Sequence, residues 1–223
     1  DKEPRAFQTG VPAVDLFPFA LWSRIAAALL RRPPRDLVSY GDPAGFRALR
    51  EAIAAQLRDR KHVACDADQV IVTSGTQQSL DIINRLMLDP DEEVWVEDPG
   101  SLAARATFAG AGVRLVPVPV DDDGLLVARG VEASPHARLA FVTPAVQSPT
   151  GVLMSPARRA ALLAWADAAD AWIVEDDYED VFRYDGEDPP PIHSLATTDR
   201  ALLIGSVSLS TLPGLRIGQI AAP

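Results

Sequence analysis

The chain has 223 residues, enough for one large α/β domain or two small ones around a substantial core. Asp plus Glu number 31 against 21 Lys plus Arg, a net charge of −10, which argues against nucleic acid or an anionic membrane as the main partner of this portion. The single cysteine, Cys65, excludes an intramolecular disulfide or a Cys-based zinc site and fits a reducing compartment.

Along the chain, an extended lead-in is followed by a helical stretch, FALWSRIAAALL, which the prolines of RRPPRD stop. The apolar run from Phe17 to Leu30 is interrupted by Pro18, Ser23 and Arg24, so it does not read as a membrane span. With no signal-peptide pattern either, the chain is expected in the cytoplasm. In AGFRALREAIAAQLRDR, Phe46, Leu49, Ile53 and Leu57 recur at helical spacing and mark a buried stripe. Then strands and helices alternate. QVIVT (69–73), EVWVE (93–97), VRLVPV (113–118), RLAFVT (138–143), AWIVEDD (171–177), RALLIGS (200–206) and the terminal LRIGQIAAP read as strands. Helices are expected from SGTQQSLDIINRLML, SLAARATFAGAG and PARRAALLAWADAADA, the last capped by Ser155 with Pro156 at its first position. Nearly continuous apolar strands between helices predict an α/β fold, a mostly parallel sheet with helices on both faces. Ligands of such sheets bind beyond the carboxyl ends of the strands.

The chemistry-bearing residues fall just after the strands. Ser74-Gly75-Thr76-Gln77-Gln78 is a glycine turn opening a helix, whose amides and dipole suit an anion, although a plain helix cap would read the same. Asp98-Pro99-Gly100-Ser101 reads as a turn, and Thr143 to Gly151 as an irregular loop held by two prolines and a glycine. Asp176, Asp177 and Tyr178 end a buried strand, where a carboxylate is costly unless something pairs with it, such as a protonated ring nitrogen. Ser206, Ser208 and Arg216 offer two hydroxyls and a guanidinium for a phosphate dianion. Together these loops propose a phosphorylated aromatic ring.

The order of these stretches resembles the fold-type I pyridoxal-phosphate family, the class I/II aminotransferases. It is most similar to the aminotransferase-like domain of MocR-type regulators of the GntR superfamily. The matching segments are FQTGVPAVDLFPFALWSR, YGDPAGFRALREAIA, VIVTSGTQQSLD, VWVEDPG, FVTPAVQSPTGV, IVEDDYEDVFRYDG and PGLRIGQIAAP, in the family's order over essentially the whole chain. The resemblance implies pyridoxal 5′-phosphate as cofactor. It implies a phosphate cup at Gly75, Thr76 and Gln77, with Ser206, Ser208 and Arg216 as further phosphate ligands. Asp176 matches the partner of the ring nitrogen, and Tyr178 the tyrosine bonded to the ring's phenolic oxygen. Tyr40 matches a residue that reaches the neighbouring subunit's phosphate, which implies a homodimer. Residues 1–40 then read as lead-in and helix, and 41–223 as the large cofactor-binding domain. The small C-terminal domain and the regulators' DNA-binding winged helix are expected outside these residues.

The departures bear on function. Leu209 stands where the family has the lysine that forms a Schiff base with the cofactor and moves protons in transamination. It reads either as a true leucine or as a cofactor-modified lysine under the wrong letter, with an engineered replacement as a third reading. Ser101 replaces a ring-stacking aromatic, Val146 a histidine usual in the regulators, and Ser148 the asparagine of the enzymes' Asn-Pro-Thr-Gly motif. The expected function is the effector and dimerisation domain of a transcriptional regulator that senses pyridoxal phosphate or its adduct with an amino compound. The alternatives are an aminotransferase and a cofactor-free scaffold. His62, His136 and His193 show no metal-ligand spacing. Trp22, Trp95, Trp165 and Trp172 are expected in the core, Arg158 and Arg159 in solvent, and the acidic runs at 89–93 and 121–123 in solvated turns.

Overall fold

The computed structural model describes residues 10, 12–178 and 189–223. The start of FQTGVPAVDLFPFALWSR and the end of IVEDDYEDVFRYDG lie outside them. Helices α1 (Phe19–Arg31) and α2 (Arg35–Val38) come first, followed by α3 (Arg47–Lys61). Strands β1 (Val70–Thr73), β2 (Glu93–Asp98) and β3 (Arg114–Asp121) are separated by α4 (Thr76–Met87) and α5 (Leu102–Gly110). A short β4 (Gly124–Leu125) and α6 (Val127–Ala133) precede β5 (Leu139–Val142), α7 (Pro156–Ala169) and β6 (Trp172–Asp177). The chain closes with α8 (Ile192–Leu195), β7 (Ala201–Ser206) and β8 (Gly218–Ala221).

The strands form one sheet in the order β1-β8-β7-β6-β5-β2-β3-β4. From β7 through β3 the neighbours are parallel, while β8 runs antiparallel to both β1 and β7. The antiparallel β4 hairpins back onto β3. Strands β1, β2, β3, β5, β6 and β7 therefore point one way, and their carboxyl ends, Thr73, Asp98, Asp121, Val142, Asp177 and Ser206, share one edge. This is the expected mostly parallel α/β sheet.

Side chains alternate across the pleat, so each strand feeds two cores. Val94, Val96, Phe141, Val174, Leu202 and Ile204 pack with Leu80 and Ile83 of α4 and Ala104 and Phe108 of α5. The opposite face splits in two: Trp95, Ala140 and Ile173 meet α6, α7 and α8, while Leu203, Val70 and Ala221 meet α3. Trp95 stacks on Trp165 at 3.7 Å between ring centroids, and each indole N–H donates to a backbone carbonyl, of Ser134 and Pro135 respectively. Buried aromatics of this size carry a large share of core stability.

Four short elements escape the periodicity reading: α2, β4, α6 and α8. Gly124 turns the chain at φ +98° into β4, and α6 contains Gly130, which the helical pattern penalises. A β-carbon at Gly130 would lie 2.7 Å from the Trp95 ring, so packing requires glycine there. Trp22 corrects the expectation of a core position: it is 42% exposed. The reason is that α1 buries none of its residues, and Phe19, Ile25 and Leu30 are exposed beside Trp22. No helix among the described residues is long and apolar enough to cross a membrane.

Candidate functional site

The sheet brings three loops to one place. After β1, Gly75 caps α4 at φ +113° without a side chain, and its carbonyl accepts the first helical bonds from Gln78 and Ser79. The amides of Thr76 and Gln77 precede the first intrahelical donor and remain available at the positive end of the helix. Beneath the turn, Thr73 Oγ1 lies 2.9 Å from Ser79 Oγ, both buried, which fixes the approach of β1 to α4.

Because β8 lies between β1 and β7 and runs against both, its first residue, Gly218, pairs with Thr73 on one side and Ser206 on the other. The residues before it are thereby delivered to the carboxyl edge. Arg216, itself at φ +52°, sits over the glycine turn: a β-carbon at Gly75 would lie 2.7 Å from Arg216 Nη2. A β-carbon at Gly218 would likewise lie 2.7 Å from Gly75 Cα. The close approach of guanidinium and turn depends on both glycines. After β7, Ser206 Oγ and Ser208 Oγ are 2.7 Å apart, and Ser208 N donates to Ser206 Oγ at 3.1 Å.

Gly75, Thr76, Gln77, Tyr178, Ser206, Ser208, Leu209 and Arg216 line one cleft of about 310 Å³. A second cleft of about 390 Å³ adjoins it, sharing Tyr178 and Leu209 and adding Val146, Gln147, Ser148 and Pro149. Leu209 is thus at the junction. Of the expected site residues, Tyr40 and Asp176 are absent from both linings. Tyr40 is fully exposed and lines neither cleft, and Ser101 serves as the N-cap of α5, accepting from Ala104 N at 3.2 Å. The Gln77 side chain turns toward α5, where its Oε1 accepts from Thr107 Oγ1 at 2.7 Å. A larger groove of about 450 Å³ runs between α4 and α5, but none of the strand-end residues reaches it.

The end of β6 divides its carboxylates between the two faces. Asp176 is buried on the face that also carries Ser206, and its Oδ1 has no hydrogen-bond partner. Burial, then the charges of Asp177 and Glu97, push its carboxyl up to about 8. A cation or an N–H donor placed against Oδ1 would relieve both deficits. On the other face, Asp177 Oδ2 lies 3.0 Å from Lys61 Nζ, and Glu175 lies 3.7 Å from Arg159. Burial raises Glu175 to about 7 against the opposing pull of Arg159.

Arg159 corrects the expectation of a solvated residue. It is 2% exposed and donates to the carbonyls of Met154, Pro144 and Pro190 at 3.1, 2.8 and 3.1 Å. Arg158 is also tied down, through Asp121 and the carbonyls of Gly124 and Leu125. Both start α7, where the loop after β5 and the turn after β3 need donors for their carbonyls.

The sequence reading also passed over Glu97. Burial raises its carboxyl, yet it accepts from Thr143 N at 3.2 Å, Thr143 Oγ1 at 2.6 Å and Gln147 Nε2 at 3.1 Å. Gln147 Nε2 also donates to Pro99 O at 2.9 Å, so this network fixes the wall of the second cleft. The signal was present, since Glu97 too is an acid ending a buried strand. Among the described residues no group of histidine, cysteine and acidic side chains could hold a metal. The glycine turn and Arg216 suit an anion, and the partnerless Asp176 Oδ1 suits a cation or an N–H donor.

The sequence pattern described as aminotransferase class I and II matches residues 17–223. The chain is 39% identical over 98% of its length to a protein named Probable rhizopine catabolism regulatory protein MocR from Rhizobium meliloti, of which it covers 44%. It is 34% identical over 96% of its length to aromatic-amino-acid aminotransferase 1 of Thermococcus litoralis, covering 53% of that enzyme. The fold superposes on the Pyrococcus horikoshii kynurenine aminotransferase, solved in complex with PMP, with a TM-score of 0.87 and 31% identity over 96% of this chain and 54% of that one. The chain therefore spans about half the length of the relatives it matches. From residue 17 to residue 223 it belongs to the aminotransferase class I and II family.

Proposed function

We propose that these residues are the cofactor-binding effector portion of a MocR-type transcriptional regulator and that the cofactor is pyridoxal 5′-phosphate. Two observations support the cofactor. The glycine turn and Arg216, so close that a β-carbon at Gly75 would lie 2.7 Å from the guanidinium, line one cleft with Ser206 and Ser208, and Asp176 Oδ1 is buried without a partner. On this reading the amides of Gly75, Thr76 and Gln77, the Ser206 and Ser208 hydroxyls and Arg216 hold the phosphate. Asp176 takes the ring nitrogen, and Tyr178 donates to the phenolic oxygen. When bound, the cofactor supplies an electron-withdrawing ring. Asp176 holds a proton between carboxyl and ring nitrogen, and the Glu97 network keeps the adjoining wall in place.

The single observation that favours a regulator over an aminotransferase is Leu209. It lies at the junction of both clefts, and a leucine can neither accept nor deliver the proton that amino transfer requires. The site keeps its binding ends and lacks a base. The 39% identity to a regulatory protein agrees with this reading. DNA contact would then lie in a portion outside these residues, consistent with the net charge of −10 here. A homodimer in which Tyr40 of one copy reaches the phosphate of the other would explain why Tyr40 is fully exposed and absent from its own clefts. The test is to add pyridoxal phosphate to the intact protein and measure binding to its own promoter DNA alongside amino transfer. A change in DNA affinity with no turnover is expected; turnover with any amino donor would sink the reading.

A further inference from the structure

The clefts also indicate which form of the ligand the site takes, given that it is a pyridoxal-phosphate site as proposed above. The chain contains two lysines, Lys2 and Lys61. Lys2 lies outside the described residues. Lys61 is buried at the end of α3 and pairs with Asp177 at 3.0 Å, on the sheet face opposite Asp176. Among the described residues, therefore, no amine stands between the glycine turn and the end of β6. Leu209 occupies that junction, and the cleft beyond it adds the apolar side chains of Val146 and Pro149.

We infer that the site selects phosphorylated 3-hydroxypyridines whose 4′ substituent is uncharged, and holds them reversibly with no covalent bond to the protein. The phosphate and the ring nitrogen have charged partners in Arg216 and Asp176. A substituent projecting toward Leu209 meets methyl groups. An ammonium there would lose its hydration without gaining a counter-charge, because the free oxygen of Asp176 is committed to the ring nitrogen. Gln147, Ser148 and Tyr178, the polar side chains lining that cleft with Leu209, offer dipoles and no negative charge. An aldehyde or a hydroxymethyl group is neutral and loses far less. Since the protein makes no bond to the aldehyde carbon, the aldehyde gains nothing over the alcohol.

Equilibrium dialysis of the intact protein against pyridoxal 5′-phosphate, pyridoxine 5′-phosphate and pyridoxamine 5′-phosphate tests this, once the intact mass has established leucine at 209. The aldehyde and the alcohol should bind within about tenfold of each other, and the amine more weakly by about tenfold or more. Borohydride treatment of the aldehyde complex should leave the denatured chain at its unmodified mass. In Leu209→Lys the new amine can add to the aldehyde carbon, form a carbon–nitrogen double bond and release water. The aldehyde should then gain at least about 100-fold over the alcohol, and borohydride should fix the cofactor mass. The inference is overturned by a wild-type preference for the aldehyde over the alcohol beyond about tenfold, by tightest binding of the amine, or by a saturable borohydride-fixed adduct at Lys61 or Lys2. Binding by Leu209→Lys alone overturns it while sparing the cofactor assignment; no binding by either protein overturns both. If the lysine variant does not fold, the wild-type comparison among the three compounds decides.

Discussion

Gly75 illustrates how a single residue sets the site. Its φ of +113° and the 2.7 Å approach of Arg216 leave no room for a β-carbon. Gly75→Ala should displace the guanidinium and weaken inorganic phosphate and pyridoxal phosphate binding by about tenfold or more, measured by dialysis, at a stability cost of about 1 kcal/mol. Asp176 makes a prediction in pH. Its carboxyl is raised from 3.8 to about 8, so between those values the folded chain holds a proton that the unfolded chain has released. Stability is therefore withdrawn as pH climbs through that window. Asp176→Asn should match the wild type below about pH 4 and exceed it by about 1–3 kcal/mol in urea unfolding above pH 8, while losing affinity for the ring. An advantage that shrinks with rising pH would contradict this. These positions were legible in the sequence as a glycine turn opening a helix and an acid ending a buried strand, features that a plain cap or turn also shows, and the order of motifs singled them out. Leu209 was legible only as a departure from the family's pattern, and the clefts supplied its neighbours.

At the scale of elements, α7 joins the sheet edge to the core. Ser155 caps it by accepting from Arg158 N at 3.3 Å, as the sequence indicates, and Ser155→Ala should cost about 1 kcal/mol of unfolding free energy. Arg159, one turn on, was misread. Two adjacent arginines in a helix's first turn look solvated, and nothing local reveals that Pro144, Met154, Pro190 and Glu175 converge on the second of them. Arg159→Ala leaves Glu175 buried without its cation, so about 3–5 kcal/mol should be lost in a denaturant titration. Restoring part of that loss with Glu175→Gln in the same chain would show that the unpaired charge, rather than the cavity, is the cause. The boundaries of strands and long helices read from the sequence lie within three residues of those in the structure. The β4 turn and α6 were not read, because a two-residue strand has no period and Gly130 is placed by the Trp95 ring rather than by helix propensity.

At the scale of the molecule, α1 presents Phe19, Trp22 and Ile25 to solvent, and Tyr40 is fully exposed. If two copies complete each other's sites, co-expressing Tyr40→Phe with Arg216→Ala should leave about one site in four with both residues intact, half the dimers being mixed and each holding one such site. Pyridoxal phosphate binding by the mixture, above that of either variant alone, measures this. No gain on mixing would argue against a shared site.

The sequence by itself determined the α/β class, most of the strands and the chemistry gathered after them, because apolar periodicity and strand-end polarity are local properties. Only the tertiary structure decided that β8 enters between β1 and β7 and runs against both. Strand direction depends on which neighbours complete its hydrogen bonds, and nothing in RIGQIAAP states that. That one reversal sets Gly218 between Thr73 and Ser206 and brings Arg216 over Gly75, turning three separate loops into one cradle.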